Sequence, residues 1–308
     1  LYLFHPCAIT LIAAISLRAH AHLDSRDDGR VVIHSSDTGR HTEVSHWSEL
    51  VTPGGMDLLG RLLHYFQGSN LTLTARAESP AGAGIAGSSA LNVAVCGAMA
   101  RWQGLSHDAE TLLEIAKNVE AQAILCPTGV QDYRPAMYGG VAAVELGVDG
   151  VRRVGLSVDP IQVQRRIVLA YTGAPRNSGT NNWEVMKRHL DGDRDVFDCF
   201  ERIRDTAVLM RAALEREDWP EAGRQVAHEW DNRKRLAPGV STPQIDDLMA
   251  RAGRAGAVAA KVCGAGGGGC LFCFCPPEAQ TRVGEALTTG GARVLDYQIE
   301  TDGLRIES

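Results

Sequence analysis

The chain has 308 residues, 44% of them hydrophobic, with a formal net charge of −6 and an isoelectric point of about 5.9. That apolar content suffices for one large core or two ordinary ones. The acidic balance and the absence of a long basic run exclude nucleic acid or an anionic membrane surface as the main partner, so any phosphate chemistry must rely on local donors and a divalent cation.

The apolar run from Leu1 to Leu17 is interrupted at His5 and Pro6. It is too broken for a spanning helix, which needs about 20 apolar residues, and it lacks the positive flank and small-residue cleavage site of a signal peptide. Alternation in Ser16–Leu23 suggests strands instead. Because the chain opens on Leu1 rather than Met, its start reads as incomplete. Strands and polar turns are expected over residues 1–47, a short helix from Met56 to Gln67, and an edge strand at Leu71–Ala77, where apolar and polar residues alternate.

Next comes Pro80-Ala81-Gly82-Ala83-Gly84-Ile85-Ala86-Gly87-Ser88-Ser89-Ala90, a glycine-rich turn directly ahead of the apolar, Ala-rich run Leu91–Trp102. The run reads as a helix that the two serines can cap. Glycine lets a backbone bend sharply and approach a ligand closely, and the free N–H groups at a helix start point at a bound anion. The segment therefore suits a phosphate. It matches neither Gly-x-x-x-x-Gly-Lys-Ser/Thr nor the dinucleotide fingerprint, and taken alone a glycine-rich turn is as often a plain connection.

A second helix is expected over Asp108–Ala123, with Leu112, Leu113, Ile115, Ala116 and Val119 on one side and Ser106 or His107 near its start. Glu120 lies at its end, and Asp132 follows a Thr-Gly turn in a turn-rich loop, Cys126–Gly140, that leads into a strand at Gly140–Leu146. A new unit is expected near Pro160: a strand at Arg166–Tyr171, a loop at Gly173–Gly179, long helices over Val196–Arg216 and Trp219–Leu236, and a third from Thr242 to about Ala255 with a Thr-Pro start. After a strand at Ala257–Val262, the segment Lys261–Cys270 carries five glycines within six positions. A tight turn needs one or two, so such a run marks a close approach to a ligand or to another backbone. A Cys/Phe strand, one more helix and a last strand around Arg293–Ile299 complete the chain. With no internal repeat, the elements mix into two α+β halves, 1–158 and 159–308.

The eight cysteines show no secreted-module spacing and read as reduced thiols of a cytosolic protein. Cys270-x-x-Cys273 could be a zinc half-site. No second Cys/His pair follows, and a small hydrophobe in an apolar strand is the better reading.

Three of these segments, Pro80–Ala90, Val119–Tyr133 and Lys261–Gly269, resemble those of the GHMP kinases, the family of galactokinase, homoserine kinase, mevalonate kinase and phosphomevalonate kinase. The family's Pro-x-x-x-Gly-Leu-Gly-Ser-Ser-Ala is similar to Pro80–Ala90, with Ile85-Ala86-Gly87 where Leu-Gly is usual, and its Lys-x-x-Gly-Ala-Gly-Gly-Gly-Gly is matched by Lys261–Gly269 without a gap. The likeness is nearest to sugar kinases of the heptose 7-phosphate type, whose Gly-x-Gln-Asp-x-Tyr stretch and Tyr-Gly-Gly turn resemble Gly129–Tyr133 and Tyr138–Gly140. Tyr171–Ser178 and the helix end at Trp230–Leu236 look similar too, and the likeness spans about residues 5 to 300.

The resemblance implies an α+β fold of two domains, the N-terminal one ribosomal-protein-S5-domain-2-like and the C-terminal one ferredoxin-like. It implies transfer of the ATP γ-phosphoryl group to a sugar hydroxyl, the anomeric hydroxyl of a heptose 7-phosphate or a related sugar. Pro80, Gly82, Ala83, Gly84, Ile85, Ala86, Gly87, Ser88 and Ser89 would hold ATP, Ser89 and Glu120 would hold Mg²⁺, and Asp132 would accept or orient the acceptor's proton. Asp132, Arg176, Gly266 and Gly267 would contact the acceptor. Lys261 carries less weight, since a lysine at a strand end is usually solvated, and Arg176 could equally sit on a surface loop. The ligands implied are ATP and a small sugar or sugar phosphate, with no nucleic acid and no membrane, in a cytoplasmic setting that leaves a homodimer open. The family's first motif is not recognisable near the start of the chain. Other acceptors (galactose, fucose, arabinose, mevalonate) and a non-catalytic nucleotide-binding module therefore stay open.

Overall fold

The computed structural model describes residues 2–51, 58–175 and 178–307, without the side chains of 178–181. In chain order the elements are β1 (Ala8–Ala13), β2 (Ala19–Ser25), β3 (Val31–Ser35), β4 (Arg40–Val44), α1 (Leu58–Tyr65), β5 (Leu71–Ala77), α2 (Gly87–Trp102), α3 (Ala109–Ile124), α4 (Tyr133–Tyr138), β6 (Val141–Gly147), β7 (Gly150–Gly155), α5 (Pro160–Gln164), β8 (Ile167–Tyr171), α6 (Ser178–Leu190), α7 (Arg194–Glu215), α8 (Trp219–Arg233), α9 (Pro243–Arg254), β9 (Ala259–Val262), β10 (Cys270–Phe274), α10 (Gln280–Thr289) and β11 (Arg293–Val294). They form two compact units that interleave along the chain. One comprises Ala14–Ser79, Ala86–Gly139 and Glu300–Ser308, the other Leu1–Ala13, Pro80–Ile85 and Gly140–Ile299.

The first unit is built on a four-stranded sheet in the order β2-β5-β3-β4. The strand at Leu71–Ala77 is not the edge strand its alternation suggests, because it pairs antiparallel with β2 and parallel with β3. Period-two alternation marks one buried face, here the fully buried Leu71, Leu73 and Ala75, and is silent about how many strands lie alongside. Apolar residues of α1, α2 and α3, among them Leu62, Val93, Met99 and Ile115, form one core with that face. The side chain of Asp108, one residue past the expected start signals, caps α3 by accepting from the Thr111 amide at 2.8 Å. Met56, where the first helix was expected to begin, lies outside the described residues.

The stretch expected to be wholly turn-rich contains the short helix α4. Pro135 is tolerated there because it sits in the first turn, where its missing N–H has no intrahelical partner to lose. Tyr133 and Met137 enter the core and hold the turn in place.

The second unit holds two antiparallel sheets, β1-β6-β7 and β11-β8-β10-β9. Helices α7, α8 and α9 begin at the side-chain caps Asp193, Asp218 and Thr242. Strand β7 and helices α5 and α6 had no counterpart in the sequence reading, and the last strand is shorter than expected, covering only Arg293–Val294. Helix α6 begins inside the expected Gly173–Gly179 loop, and Arg176 lies outside the described residues. All eight cysteines are free thiols. Cys270, Cys273 and Cys275 are fully buried, and burial pushes the Cys273 thiol up to about 12, as befits a small core hydrophobe. Among the described residues no helix is long and apolar enough to cross a membrane.

Candidate functional site

In the second unit the two glycine-rich segments meet backbone to backbone. The Pro80–Ile85 loop is closed by the Ala83 amide donating to the Pro80 carbonyl at 3.0 Å, and the Ala83 carbonyl accepts from the Cys270 amide at 2.6 Å. Gly269 has φ +76°, and a Cβ there would stand 2.6 Å from the Ala83 carbonyl oxygen. Its own carbonyl accepts from the amide and the hydroxyl of Thr172, each at 2.9 Å. Gly266 and Gly267 pack on Val240: a Cβ on Gly266 would be 2.5 Å from the Val240 carbonyl, and the Gly267 amide donates to that oxygen at 2.9 Å. The excess of glycine in Gly264–Gly269 thus has a physical cause, the close approach of main chain to main chain.

Lys261, which opens this segment, is not solvated. Its ammonium lies 2.7 Å from the Glu229 carboxylate, and Arg233 donates to the same carboxylate, so β9 and α8 are joined by a largely buried ion cluster. Burial disfavours a charged Glu229, yet Arg233 and Lys261 outweigh it and hold the carboxyl down at about 2.

In the first unit α2 begins at Gly87 after Ala86, which turns the chain with φ 62° and ψ 27° and offers no side-chain cap. The serines expected to cap this helix lie inside its first turn and direct their hydroxyls to Glu120 on α3. The Ser88 hydroxyl donates to Oε1 at 2.7 Å, and the Ser89 hydroxyl lies 3.4 Å from Oε2. Asn92, one turn further along the same helix face, donates from Nδ2 to Oε2 at 3.1 Å. The Tyr133 hydroxyl donates to Oε2 as well and lies 3.2 Å from Thr128 Oγ1. Glu120, Ser89, Asn92 and Tyr133 are all buried, whereas Ser88 is exposed. Burial and then the Glu120 charge push the Tyr133 hydroxyl well above the usual phenol range, so it stays a donor.

Asp132 immediately precedes Tyr133 at the start of α4 and is exposed, with the Gln131 amide nitrogen 3.3 Å from Oδ1. The turn that carries it is held from both sides of the chain. Besides Tyr133, the buried Arg134 donates to the Val130 carbonyl at 2.8 Å and to Glu110 Oε2 at 2.7 Å.

The structure therefore joins Ser88 and Ser89 to Glu120 in one unit, and Ala83 to Gly269 in the other. Sequence reasoning gave no role to Asn92, Tyr133 or Arg134, although Tyr133 closes the Gly129–Tyr133 stretch that carries the family likeness. Asn92 had a usable signal, a lone amide three residues after Ser89 in an otherwise apolar helix; the reach of Tyr133 back to α3 had none.

Among the described residues no group of three His, Cys, Asp or Glu side chains could hold a metal ion. A hard cation nevertheless suits this cluster, whose donors are a carboxylate and two hydroxyls and whose buried Asn92 Oδ1 has no hydrogen-bond partner among the described residues. Magnesium commonly takes one or two protein carboxylates and completes its shell with water and phosphate.

Two family models match the chain, GHMP kinases N terminal domain over residues 56–140 and GHMP kinases C terminal over residues 210–293. A D-glycero-alpha-D-manno-heptose 7-phosphate kinase from Campylobacter jejuni is 26% identical over 309 residues, covering 96% of this chain and 89% of its own length. A mevalonate kinase from Thermococcus onnurineus is 30% identical over 255 residues, with 78% of this chain and 70% of its own covered. The crystal structure of a D-glycero-D-manno-heptose 1-phosphate kinase from Bacteroides thetaiotaomicron matches with a TM-score of 0.77 at 22% identity, over 97% of this chain and 91% of that one.

Proposed function

The chain belongs to the GHMP kinase family, and from that membership we propose that it transfers the γ-phosphoryl group of ATP to a sugar hydroxyl, the anomeric hydroxyl of a heptose 7-phosphate or a closely related sugar. The observation that carries the reading is the buried Glu120 carboxylate with the Ser88 and Ser89 hydroxyls converging on it at the N-terminus of α2.

Phosphoryl transfer depends on positioning and on neutralising phosphate charge. The amides at the start of α2, Ala86 to Ser89, are the donors for the triphosphate, helped by the positive end of the helix dipole. Pro80, Gly82, Gly84 and Ile85, just ahead of them in sequence, are proposed as further nucleotide contacts, and Ala83, whose amide closes that loop onto Pro80, would shape it. Ser89 and Glu120, with Ser88 beside them, would hold Mg²⁺, which when bound neutralises the β- and γ-phosphates. Asp132, exposed on its anchored turn, accepts or orients the proton of the attacking hydroxyl. An anomeric hydroxyl is more acidic than an ordinary alcohol, which lowers the demand on that base. Arg176, Gly266 and Gly267 remain the proposed acceptor contacts. Eight free thiols suit a reducing compartment, and we place the protein in the cytosol.

An ADP-release assay over a panel of sugars and sugar phosphates, with mevalonate and homoserine alongside, tests the proposal. Turnover with a heptose 7-phosphate supports it. The mevalonate kinase relative makes mevalonate the second acceptor to weigh, and turnover with mevalonate but with no sugar would replace the sugar assignment.

A further inference from the structure

We propose that Tyr133 and Asn92 are positioning residues that fix the Glu120 carboxylate for the cation, an inference that rests on the kinase reading of the same cluster. The two oxygens of Glu120 are treated unequally. Oε2 has the donors Tyr133 and Asn92 beside it, with Ser89 further off, whereas the partner of Oε1 is the hydroxyl of the exposed Ser88. Asn92 is fully buried and Tyr133 is 1% exposed, so neither can swing out to meet a ligand. Each spends a donor hydrogen on the Glu120 carboxylate, Asn92 from Nδ2 and Tyr133 from its hydroxyl, so each acts on the cation through that carboxylate.

Their effect is geometric. A glutamate end group is a broad, roughly two-fold rotor, and two buried donors on one oxygen stop its rotation and hold the other oxygen toward the exposed Ser88. Tyr133 does more than Asn92, because it directly follows Asp132 in the chain. Its hydroxyl ties the turn bearing the proposed base to the carboxylate proposed for the metal, so the two ends of the reaction share one anchor. Hydrogen-bond partners that orient a ligating carboxylate are worth roughly 10–100-fold in metal affinity.

The test is binding of Mn²⁺, read by its paramagnetic resonance, to the intact chain in the presence of a non-hydrolysable ATP analogue. Tyr133→Phe keeps the ring in the core and removes only the hydroxyl. We expect Mn²⁺ affinity to fall ~10-fold, with metal-free binding of the analogue unchanged. In turnover, the Mg²⁺ concentration for half-maximal rate should rise by a similar factor while the KM for sugar stays put. Asn92→Ala removes the other buried donor to the same oxygen and carries the same expectation from a second position, so the proposal stays testable if one variant does not fold. Wild-type Mn²⁺ affinity in either folded variant overturns it. Failure of the wild-type chain to take up Mn²⁺ with the analogue overturns the kinase reading itself, and this inference with it.

Discussion

Replacing Gly269 by alanine tests whether the glycine run exists for the contact with the Pro80–Ile85 loop. Two costs add. The φ of +76° places an L side chain in the left-handed region, at about 1–2 kcal/mol. The new Cβ would stand 2.6 Å from the Ala83 carbonyl oxygen, 2.9 Å from its carbon and 3.0 Å from the Gly82 carbonyl oxygen, all of them main-chain atoms that cannot rotate away. Relief requires the loop to back off, loosening the 2.6 Å bond from the Cys270 amide to Ala83, and overpacking of this kind costs about 1–3 kcal/mol. The total of about 2–5 kcal/mol is a large part of a typical stability of about 5–15 kcal/mol. Gly291→Ala is the matched control: its φ is +89° and nothing lies within 4 Å, so it bears the backbone cost without the clash. Urea unfolding of the two variants measures the difference, and with a slope of about 1–3 kcal/mol per molar the Gly269 variant should lose at least about 1 M more in midpoint if the clash term is near its upper end. Because the displaced loop is a proposed nucleotide contact, nucleotide affinity should weaken in this variant alone. Equal midpoint shifts in the two variants would refute the reasoning.

Three further outcomes are expected. Asp132→Asn should lower turnover by about 10²–10⁴-fold while nucleotide binding persists, and unchanged turnover would remove Asp132 from the chemistry. Arg134→Met leaves the Val130 carbonyl without its donor and frees the turn that carries Asp132; a stability loss of about 1–3 kcal/mol together with a fall in turnover is expected, and a variant as active as wild type would show that the turn needs no such anchor. Glu229 governs an acid transition. Its carboxyl, ordinarily near 4.5, is held at about 2 in the fold, so the unfolded chain binds the extra proton and stability rises with pH between those values. The stabilising contribution of this carboxylate is complete above the unfolded value and is lost as pH falls through about 2. Glu229→Gln should flatten the wild-type loss of stability over that window, and an unaltered acid arm would contradict the assignment.

Much of the secondary structure was legible because its signals are local. The Thr242-Pro243 start marks α9, and the helix expected over Trp219–Leu236 is α8, each within a few residues of its observed bounds. What was illegible depends on distant parts of the chain. The Leu71–Ala77 pattern cannot announce that residues 31–35 will pair with it in parallel, which is what makes the strand internal. The interleaving of the two units is equally invisible in chain order. At the site, Ser88, Ser89 and Glu120 could be singled out through their likeness to a family pattern. The serines' expected capping role was wrong because Ala86 starts the helix by its backbone alone and their hydroxyls have a better partner, a buried carboxylate 31 or 32 residues further along the chain. Lys261 looked like a solvated strand end because its partner Glu229 lies on a helix far from it in sequence.

The central claim, phosphoryl transfer from ATP to an anomeric hydroxyl, is tested most directly by phosphorus magnetic resonance of the products formed from a heptose 7-phosphate, ATP and Mg²⁺. The account predicts one ADP for each new phosphate on the sugar, with the phosphorus signal split by the anomeric proton. ADP released without phosphate on the sugar, or phosphate appearing only on mevalonate or homoserine, would contradict it.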